Sequence, residues 1–311
     1  MEFIRGINNL SDNSSTVAAT IGNFDGVHLG HQAILQTLKS VADKAGMLST
    51  IVIFEPQPIE YFAPDSAPSR LTRLREKLQE FRRHNIDRVV CIKFDSNLAN
   101  LSANEFVKQI LIDGLNVKAL IIGDDFRFAK NREGNFQTLV NAGAEYGFEV
   151  QKMQTFYSSG ERVSSTLIRE ALATGQIINA NQMLGRPYRI SGRIVHGEKR
   201  GRKIGFATAN IELKRYQSPV HGIFSGRVFG ISDEAMDAVI YVGSRPVYNG
   251  ERVLLEVHIL NFEQDIYGKQ IQIEFIEKLR GDANFDTEEE MIKQIHVDIE
   301  HAKISLQKNN N

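Results

Sequence analysis

The sequence holds one cysteine, Cys91, in 311 residues. A single thiol cannot close an intramolecular disulfide or build a multi-thiolate zinc or iron–sulfur centre, so the chain suits a reducing compartment. Cys91 lies in the apolar run Val89-Val90-Cys91-Ile92 and reads as a buried strand thiol. An excess of charge of either sign is also missing, since 37 Lys+Arg against 38 Asp+Glu leave a formal net charge of −1. Proteins that coat a phosphate backbone carry a marked basic excess, so any phosphate bound here is held locally. No apolar run approaches the ~18 residues of a membrane span, and residues 1–13 lack the basic-then-apolar pattern of a secretory signal. The expectation is a soluble, cytoplasmic protein without nucleic-acid or membrane partners. The phosphate loop Gly-x-x-x-x-Gly-Lys-Ser/Thr is absent as well.

What is present is ample apolar material, 42% of residues with 24% charged, over a length that suggests two domains, each able to bury a core. Up to about residue 155, buried-strand runs at 17–21, 49–54, 89–94 and 119–122 alternate with helical patterns at 32–44, 71–83 and 102–112. Ser102 with Glu105 forms a capping box at the start of the last helix. This alternation predicts an α/β domain with a doubly wound parallel sheet, whose ligand loops follow Ile21, Phe54 and Ile122 at the carboxyl ends of strands. From Tyr188 the texture turns to short alternating runs at 188–196, 222–229, 238–242, 253–260 and 271–278, with an Asn249-Gly250 turn. That half reads as a mainly β domain, an antiparallel barrel or sandwich. A terminal helix begins near Thr287 with Glu290 in capping-box position, and a polar, disordered tail is expected at 308–311. Gly185-Arg186-Pro187 marks the expected boundary, giving domains 1–184 and 185–311.

Two constellations carry chemistry. The first, Gly22-Asn23-Phe24-Asp25-Gly26-Val27-His28-Leu29-Gly30-His31, runs from the first strand into a helical pattern beginning at Gln32. Glycines let backbone N–H groups approach a ligand, and a helix start adds partial positive charge, which together suit a phosphate chain. His28 and His31, three apart, share a face and could offset charge building on a phosphate oxygen. A glycine turn alone is common; two of the chain's eight histidines at this point favour function, and no third ligand of zinc spacing follows them. The second, His196-Gly197-Glu198-Lys199-Arg200-Gly201-Arg202-Lys203-Ile204-Gly205-Phe206-Ala207-Thr208-Ala209-Asn210, has glycines spaced by four among basic residues. By composition it reads first as a solvated hairpin tip. It also has what a loop over a triphosphate needs.

The first run resembles the His-x-Gly-His signature of the nucleotidyltransferase superfamily. In this longer form it is similar to the adenylyltransferase half of the bacterial bifunctional riboflavin kinase/FMN adenylyltransferases. Val163-Ser164-Ser165-Thr166-Leu167-Ile168-Arg169 resembles that family's second nucleotide motif, Ile-Ser-Ser-Thr-x-Ile-Arg, and the second constellation resembles its kinase signature, Gly-x-x-x-Gly-x-Pro-Thr-Ala-Asn. The resemblance runs from about Val17 to the last helix and implies a Rossmann-like nucleotidyltransferase domain followed by a kinase barrel. It implies catalytic roles for His28, His31 and Asn23, with Gly22, Phe24, Asp25, Gly26 and Gly30 against the nucleotide. Ser164, Ser165, Thr166 and Arg169 would hold departing pyrophosphate. Phe54, Pro56 and Pro58 open a segment to Pro68 with four of the seven prolines, read as a flap, and with Asp125, Phe126, Arg127 and Phe128 they would seat the flavin.

In the second half the resemblance places Gly197, Gly201 and Gly205 over nucleotide and Thr208 and Asn210 on magnesium. Glu256 becomes the general base, and Arg280 and Phe285 flank flavin. Ala129 stands where the family often has glycine, Ala207 where it has proline, and Asp282 where glutamate is usual. Tyr241 and Val247 replace the asparagine and threonine of Asn-x-Gly-x-Arg-Pro-Thr. The activities implied are phosphorylation of riboflavin to FMN and adenylylation of FMN to FAD, with ATP and magnesium. Two other readings share these motifs: an adenylyltransferase with a degraded kinase, and a non-catalytic flavin-binding regulator.

Overall fold

The chain forms two compact units, Met1–Pro68 with Thr72–Val163, and Ser69–Leu71 with Ser164–Asn311. The computed structural model describes all residues but 10–14, 159, 198–200, 202–203, 214–216, 248–249 and 310–311, and only the backbone of 245–247 and 250–252.

The first unit is built on six strands: β1 (Glu2–Arg5), β2 (Val17–Ile21), β3 (Leu48–Glu55), β4 (Arg88–Lys93), β5 (Val117–Gly123) and β6 (Glu149–Met153). They pair in parallel in the order β1-β4-β3-β2-β5-β6. This is the doubly wound sheet expected from the alternation, and its order reverses beside β2. All five residues of β2 are buried, as an apolar strand covered on both faces must be. Val17, Ala19 and Ile21 enter one apolar cluster and Ala18 the other, the two-residue period of a strand dividing them between the faces. Helix α1 (Leu29–Ala45) buries Leu35, Leu38 and Ala42, spaced by three and four, and stops at Gly46 in the left-handed region. Then come α2 (Pro58–Phe62), α3 (Leu74–Arg83), single turns α4 (Ser96–Ala99) and α5 (Ala103–Phe106), and α6 (Phe136–Tyr146). Strands β7 (Tyr157–Ser158) and β8 (Glu161–Arg162) make a small hairpin.

Several expectations are refined here. Helix α1 starts at Leu29 rather than Gln32, because His28 caps it and Gly30 is accommodated in its first turn. The capping box of Ser102 and Glu105 forms, but after α5 the chain widens into π-helical turns over Val107–Gly114. The helix read from Leu71 begins at Leu74. Edge strands β1 and β6 carry alternating or mostly exposed residues and gave no apolar run to read.

The second unit holds α7 (Ser165–Thr174), α8 (Ile177–Leu184) and the strands β9 (Arg189–Val195), β10 (Ala209–Glu212), β11 (Gly222–Phe229), β12 (Met236–Val247), β13 (Gly250–Ile259) and β14 (Gln270–Arg280), and ends in α9 (Glu288–Lys308). The strands close a barrel in the order β10-β13-β12-β11-β14-β9, each pair antiparallel. Closure settles barrel against sandwich. It depends on β10, a four-residue strand that begins with the last two residues of the second constellation and pairs with β13 on one side and β9 on the other. Along β13, Val253, Leu255, Val257 and Ile259 fill the barrel while Leu254, Glu256 and His258 point outward, half-buried. Thr287 caps α9 as read, its hydroxyl accepting from Glu290 N, and Lys308 is its last residue. Asn249 of the expected turn, and Asn310 and Asn311 of the expected tail, lie outside the described residues. Among the described residues no helix is long and apolar enough to cross a membrane.

Candidate active sites

In the first unit, residues 22–28 leave the carboxyl end of β2 beside β5, where the strand order reverses and open α/β sheets take their ligands. Phe24, Gly26 and Val27 have φ of 47°, 85° and 43°. For a buried β-branched residue such as Val27 this conformation costs about 1–3 kcal/mol and persists only when its surroundings hold it. Thr72 supplies the hold. Its N–H and hydroxyl donate to Asp25 Oδ1 at 2.9 and 3.2 Å, and its hydroxyl oxygen accepts from Gly26 N at 2.8 Å, all buried. Asp25 and Gly26, expected against nucleotide, are thus engaged in a clamp on the loop. Sequence reasoning missed Thr72, whose only signal was a polar residue ahead of α3.

His28 caps α1, its Nδ1 accepting from His31 N at 3.3 Å, which puts a neutral ring's proton on Nε2. The rings of His28 and His31 stack with centroids 3.7 Å apart, and Phe24 tilts against His31 at 5.0 Å while meeting Phe81 edge-on. A Cβ at Gly30 would lie 3.2 Å from the His28 ring, so that glycine makes room for it, and Gly22 does the same for Phe24. His31 Nδ1 is buried with no hydrogen-bond partner, an atom left for a ligand to satisfy. Burial, with the neighbouring His28 and Lys77, holds the His31 pKa well below the usual histidine value, so the ring is neutral at pH 7. Asn23 stands exposed at the loop tip.

The expected flavin loops divide. Phe54 ends β3 half-buried against Phe94, on which Tyr61 and Phe62 also pack edge-on. Pro56 follows a cis peptide and Pro58 opens α2. The segment read as a flap therefore carries a short helix and a 3-10 turn at Pro64–Ser66, with Phe62 left 64% exposed. After β5, Asp124 accepts from Thr155 at 2.6 Å and Asp125 pairs with Arg162 at 2.8 Å. Arg127 is exposed, Phe126 stacks on Phe128, and Phe128 is buried against Phe106 as core.

In the second unit, Ser164 caps α7 through Leu167 N at 3.3 Å. Ser165 is half-buried and Thr166 exposed in the first turn. Arg169, one turn on, donates from Nε to the Ser69 carbonyl at 2.7 Å.

On the barrel, Gly201 O accepts from both Ile204 N and Phe206 N, at 3.2 and 2.8 Å, turning the loop back on itself through Gly205 at φ 89°. A Cβ on Gly197 would meet the Asn210 amide at 2.2 Å, and one on Gly201 the Phe206 carbonyl at 2.3 Å and the Thr208 hydroxyl at 3.2 Å, so these glycines permit close packing of the loop against Thr208 and Asn210. Asn210 stands directly opposite Glu256 in the β10–β13 ladder, and Glu256 directly opposite Tyr241 in the β13–β12 ladder. Residues facing each other so have Cβ atoms about 4.5–5.5 Å apart. A carboxylate opposite an amide oxygen offers hard-oxygen ligands of the kind magnesium takes. Arg280 is held by Asp298 of α9, Nε to Oδ1 at 2.9 Å and Nη2 to Oδ2 at 2.8 Å, and its guanidinium lies 5.9 Å from the Phe285 ring centroid. Asp298 went unnoticed in the sequence, where it is one acid among many in a helix. Glu198, Lys199, Arg200, Arg202 and Lys203 of the basic loop lie outside the described residues.

Comparison with known proteins decides between the readings. A family model described as FAD synthetase matches residues 10–167, and one described as riboflavin kinase matches 184–306. The bifunctional riboflavin kinase/FMN adenylyltransferase of Escherichia coli strain K12 is 46% identical over 299 residues, covering 96% of each chain. That of Haemophilus influenzae is 44% identical over 97% of this chain and 98% of its own, and that of Pseudomonas fluorescens 43% identical over 97% of each. The chain belongs to the bifunctional riboflavin kinase/FMN adenylyltransferase family. A solved structure titled as a macrolide-efflux protein from Streptococcus pneumoniae superposes with a TM-score of 0.82 at 27% identity, over 97% of this chain and 99% of that one.

Against this family's motifs, the structure gives the departures physical content. Ala207 lacks the fixed φ of the motif's proline, but its carbonyl accepts from His258 Nδ1 at 2.9 Å, pinning the turn from β13. Phe206 beside it is buried against the rings of His258 and His296. Ala129, where glycine is frequent, has φ 64° and ψ −176°, a region that essentially only glycine enters without strain. The side chain of Val247 is not among those described.

Proposed function

We propose that the two activities of this family are divided between the halves of the chain. Residues 185–311 phosphorylate riboflavin to FMN with ATP, and residues 1–184 adenylylate FMN to FAD with release of pyrophosphate. The observation that carries this reading is the pair of separate constellations, the stacked His28 and His31 at the end of β2 and the Asn210–Glu256 pair across β10 and β13. Helix α7, whose first turns carry the Ser164 to Arg169 motif, folds with the barrel unit.

In the kinase half, the Glu256 carboxylate takes the proton of the terminal ribityl hydroxyl as that oxygen attacks the γ-phosphorus and the bond to the ADP oxygen breaks. Thr208 and Asn210 would hold magnesium, which supplies charge neutralisation on the phosphates when bound. The loop of Gly197, Gly201 and Gly205 covers the nucleotide, and Arg280 with Phe285 borders the flavin. In the adenylyltransferase half, an FMN phosphate oxygen attacks the α-phosphorus of ATP and pyrophosphate leaves. His28 and His31 donate N–H groups to the phosphate oxygens, Asn23 approaches from the loop tip, and Ser165, Thr166 and Arg169 receive the leaving group. Phe54, Pro56, Pro58, Asp125, Phe126 and Arg127 border the flavin there. No covalent enzyme intermediate is needed, since in-line attack with positioning suffices. A lone buried cysteine and the absence of a spanning helix among the described residues fit a cytoplasmic enzyme.

The test is incubation with riboflavin, ATP and magnesium, and in parallel with FMN, followed by chromatographic separation of the flavins. FMN and FAD from riboflavin are expected. FAD from added FMN with riboflavin untouched would show a kinase degraded by its departures, and flavin binding without turnover would sink the enzymatic reading.

A further inference from the structure

The residue that departs furthest from the kinase motif in character is Tyr241, and it stands beside the proposed base. In the barrel register Tyr241, Glu256 and Asn210 form one row across three neighbouring strands on the outer face. Tyr241 is half-buried, and its ring lies along its own strand over Gly243, where a Cβ would come within 2.2 Å of the phenolic oxygen and 2.5 Å of the ring carbon bearing it. A side chain at residue 243 would therefore have to displace the ring. Among the described residues no hydrogen bond engages the hydroxyl. Burial raises the phenol's pKa above its usual value, the Asp282 and Glu256 carboxylates raise it further, and Arg280 opposes them, so the group is a protonated donor at neutral pH. Of the two acids, Asp282 is exposed, whereas Glu256 is Tyr241's direct partner in the ladder.

We propose that Tyr241 is a positioning residue of the kinase site, its hydroxyl donating to the Glu256 carboxylate and holding that carboxylate toward Asn210, with Gly243 leaving the space in which the ring sits. The proposal rests on the reading of Glu256 as general base and adds a second residue to it. A base must lie within hydrogen-bonding reach of the proton it removes, and a carboxylate on an outward strand position has rotamers that point elsewhere. A phenol on the adjacent strand, kept in place by the glycine two residues on, narrows those rotamers. The tyrosine thus does with a longer reach what a shorter amide donor at the same position can do.

The test is steady-state kinetics of riboflavin phosphorylation by the full chain, with thermal melting and conversion of supplied FMN to FAD confirming that each variant is folded. Tyr241→Phe should lower kcat about tenfold, the effect of about 1.4 kcal/mol, with KM for riboflavin within twofold. Tyr241→Asn should recover most of that kcat, because it restores a donor. Gly243→Ala should lower kcat in the wild-type background by displacing the ring and should cost little on top of Tyr241→Asn, a coupling read by a double-mutant cycle. A Tyr241→Phe enzyme with unchanged kcat, a loss confined to KM, or equal costs of Gly243→Ala in both backgrounds would overturn the proposal. Glu256→Gln tells the two ideas apart. If it retains full kinase activity, the reading of the base fails and this proposal with it; if it is inactive while Tyr241→Phe is not impaired, only the role of Tyr241 fails.

Discussion

The two sites are held in shape by different means. At the end of β2 the histidine loop is bent through three residues of positive φ, two of them not glycine, and is tied by one buried threonine 46 or 47 positions away in sequence. On the barrel, Glu256 is placed by ladder register, shared over ten paired positions between β12 and β13. A strained loop held by a buried clamp is vulnerable at the clamp. A register is distributed over many paired positions.

The sharpest way to break this comparison is at the histidines. His28→Ala with His31→Ala should lower FMN-to-FAD conversion about 10³-fold, the scale of lost preorganised donors, while FMN formation from riboflavin continues; product chromatography reads both. Next comes Thr72→Val, which leaves Gly26 N and Asp25 without the hydroxyl. Losing buried hydrogen bonds costs about 0.5–1.5 kcal/mol each, and FAD formation should fall with the melting temperature while the kinase rate stays level. Equal losses in both reactions would show that the clamp is not local.

Ala129→Gly should stabilise the protein by about 1 kcal/mol, since relief of about 1–3 kcal/mol of backbone strain exceeds the entropic cost of glycine, about 0.5–1 kcal/mol. Calorimetry should show a rise of a few degrees, and an unchanged or lower melting temperature would contradict the strain. The smallest effect is on pH. His31 binds its proton less readily folded than unfolded, so acidification below about 6.5, the unfolded value, favours the unfolded chain. The penalty is absent above that pH and grows as pH falls toward the lower folded pKa. His31→Gln should flatten the melting temperature between pH 7.5 and 5.5 relative to wild type.

Much of this was legible in the sequence because apolar periodicity and the ordered motifs coincide with what is buried. The strands from 17 to 122, the capping box at Ser102 and the cap at Thr287 all report local chemistry. What escaped is non-local. Thr72 reaches Asp25 through the fold, Asp298 meets Arg280 from a helix 18 residues later, and β10 is a strand only because the barrel closes on it. Edge strands β1 and β6 are polar on one face or more and carry no core signal. The glycines show the same limit: read as flexible backbone, Gly30, Gly197 and Gly201 act by leaving room for His28, Asn210 and the Phe206 carbonyl.

The central claim is that each half has its own catalytic site, and Glu256→Gln tests it most directly. Supplied with riboflavin, ATP and magnesium, the folded variant should make no FMN and therefore no FAD; supplied with FMN, it should make FAD at the wild-type rate. Loss of FAD formation from added FMN in a protein that still melts like wild type would contradict the division into two sites.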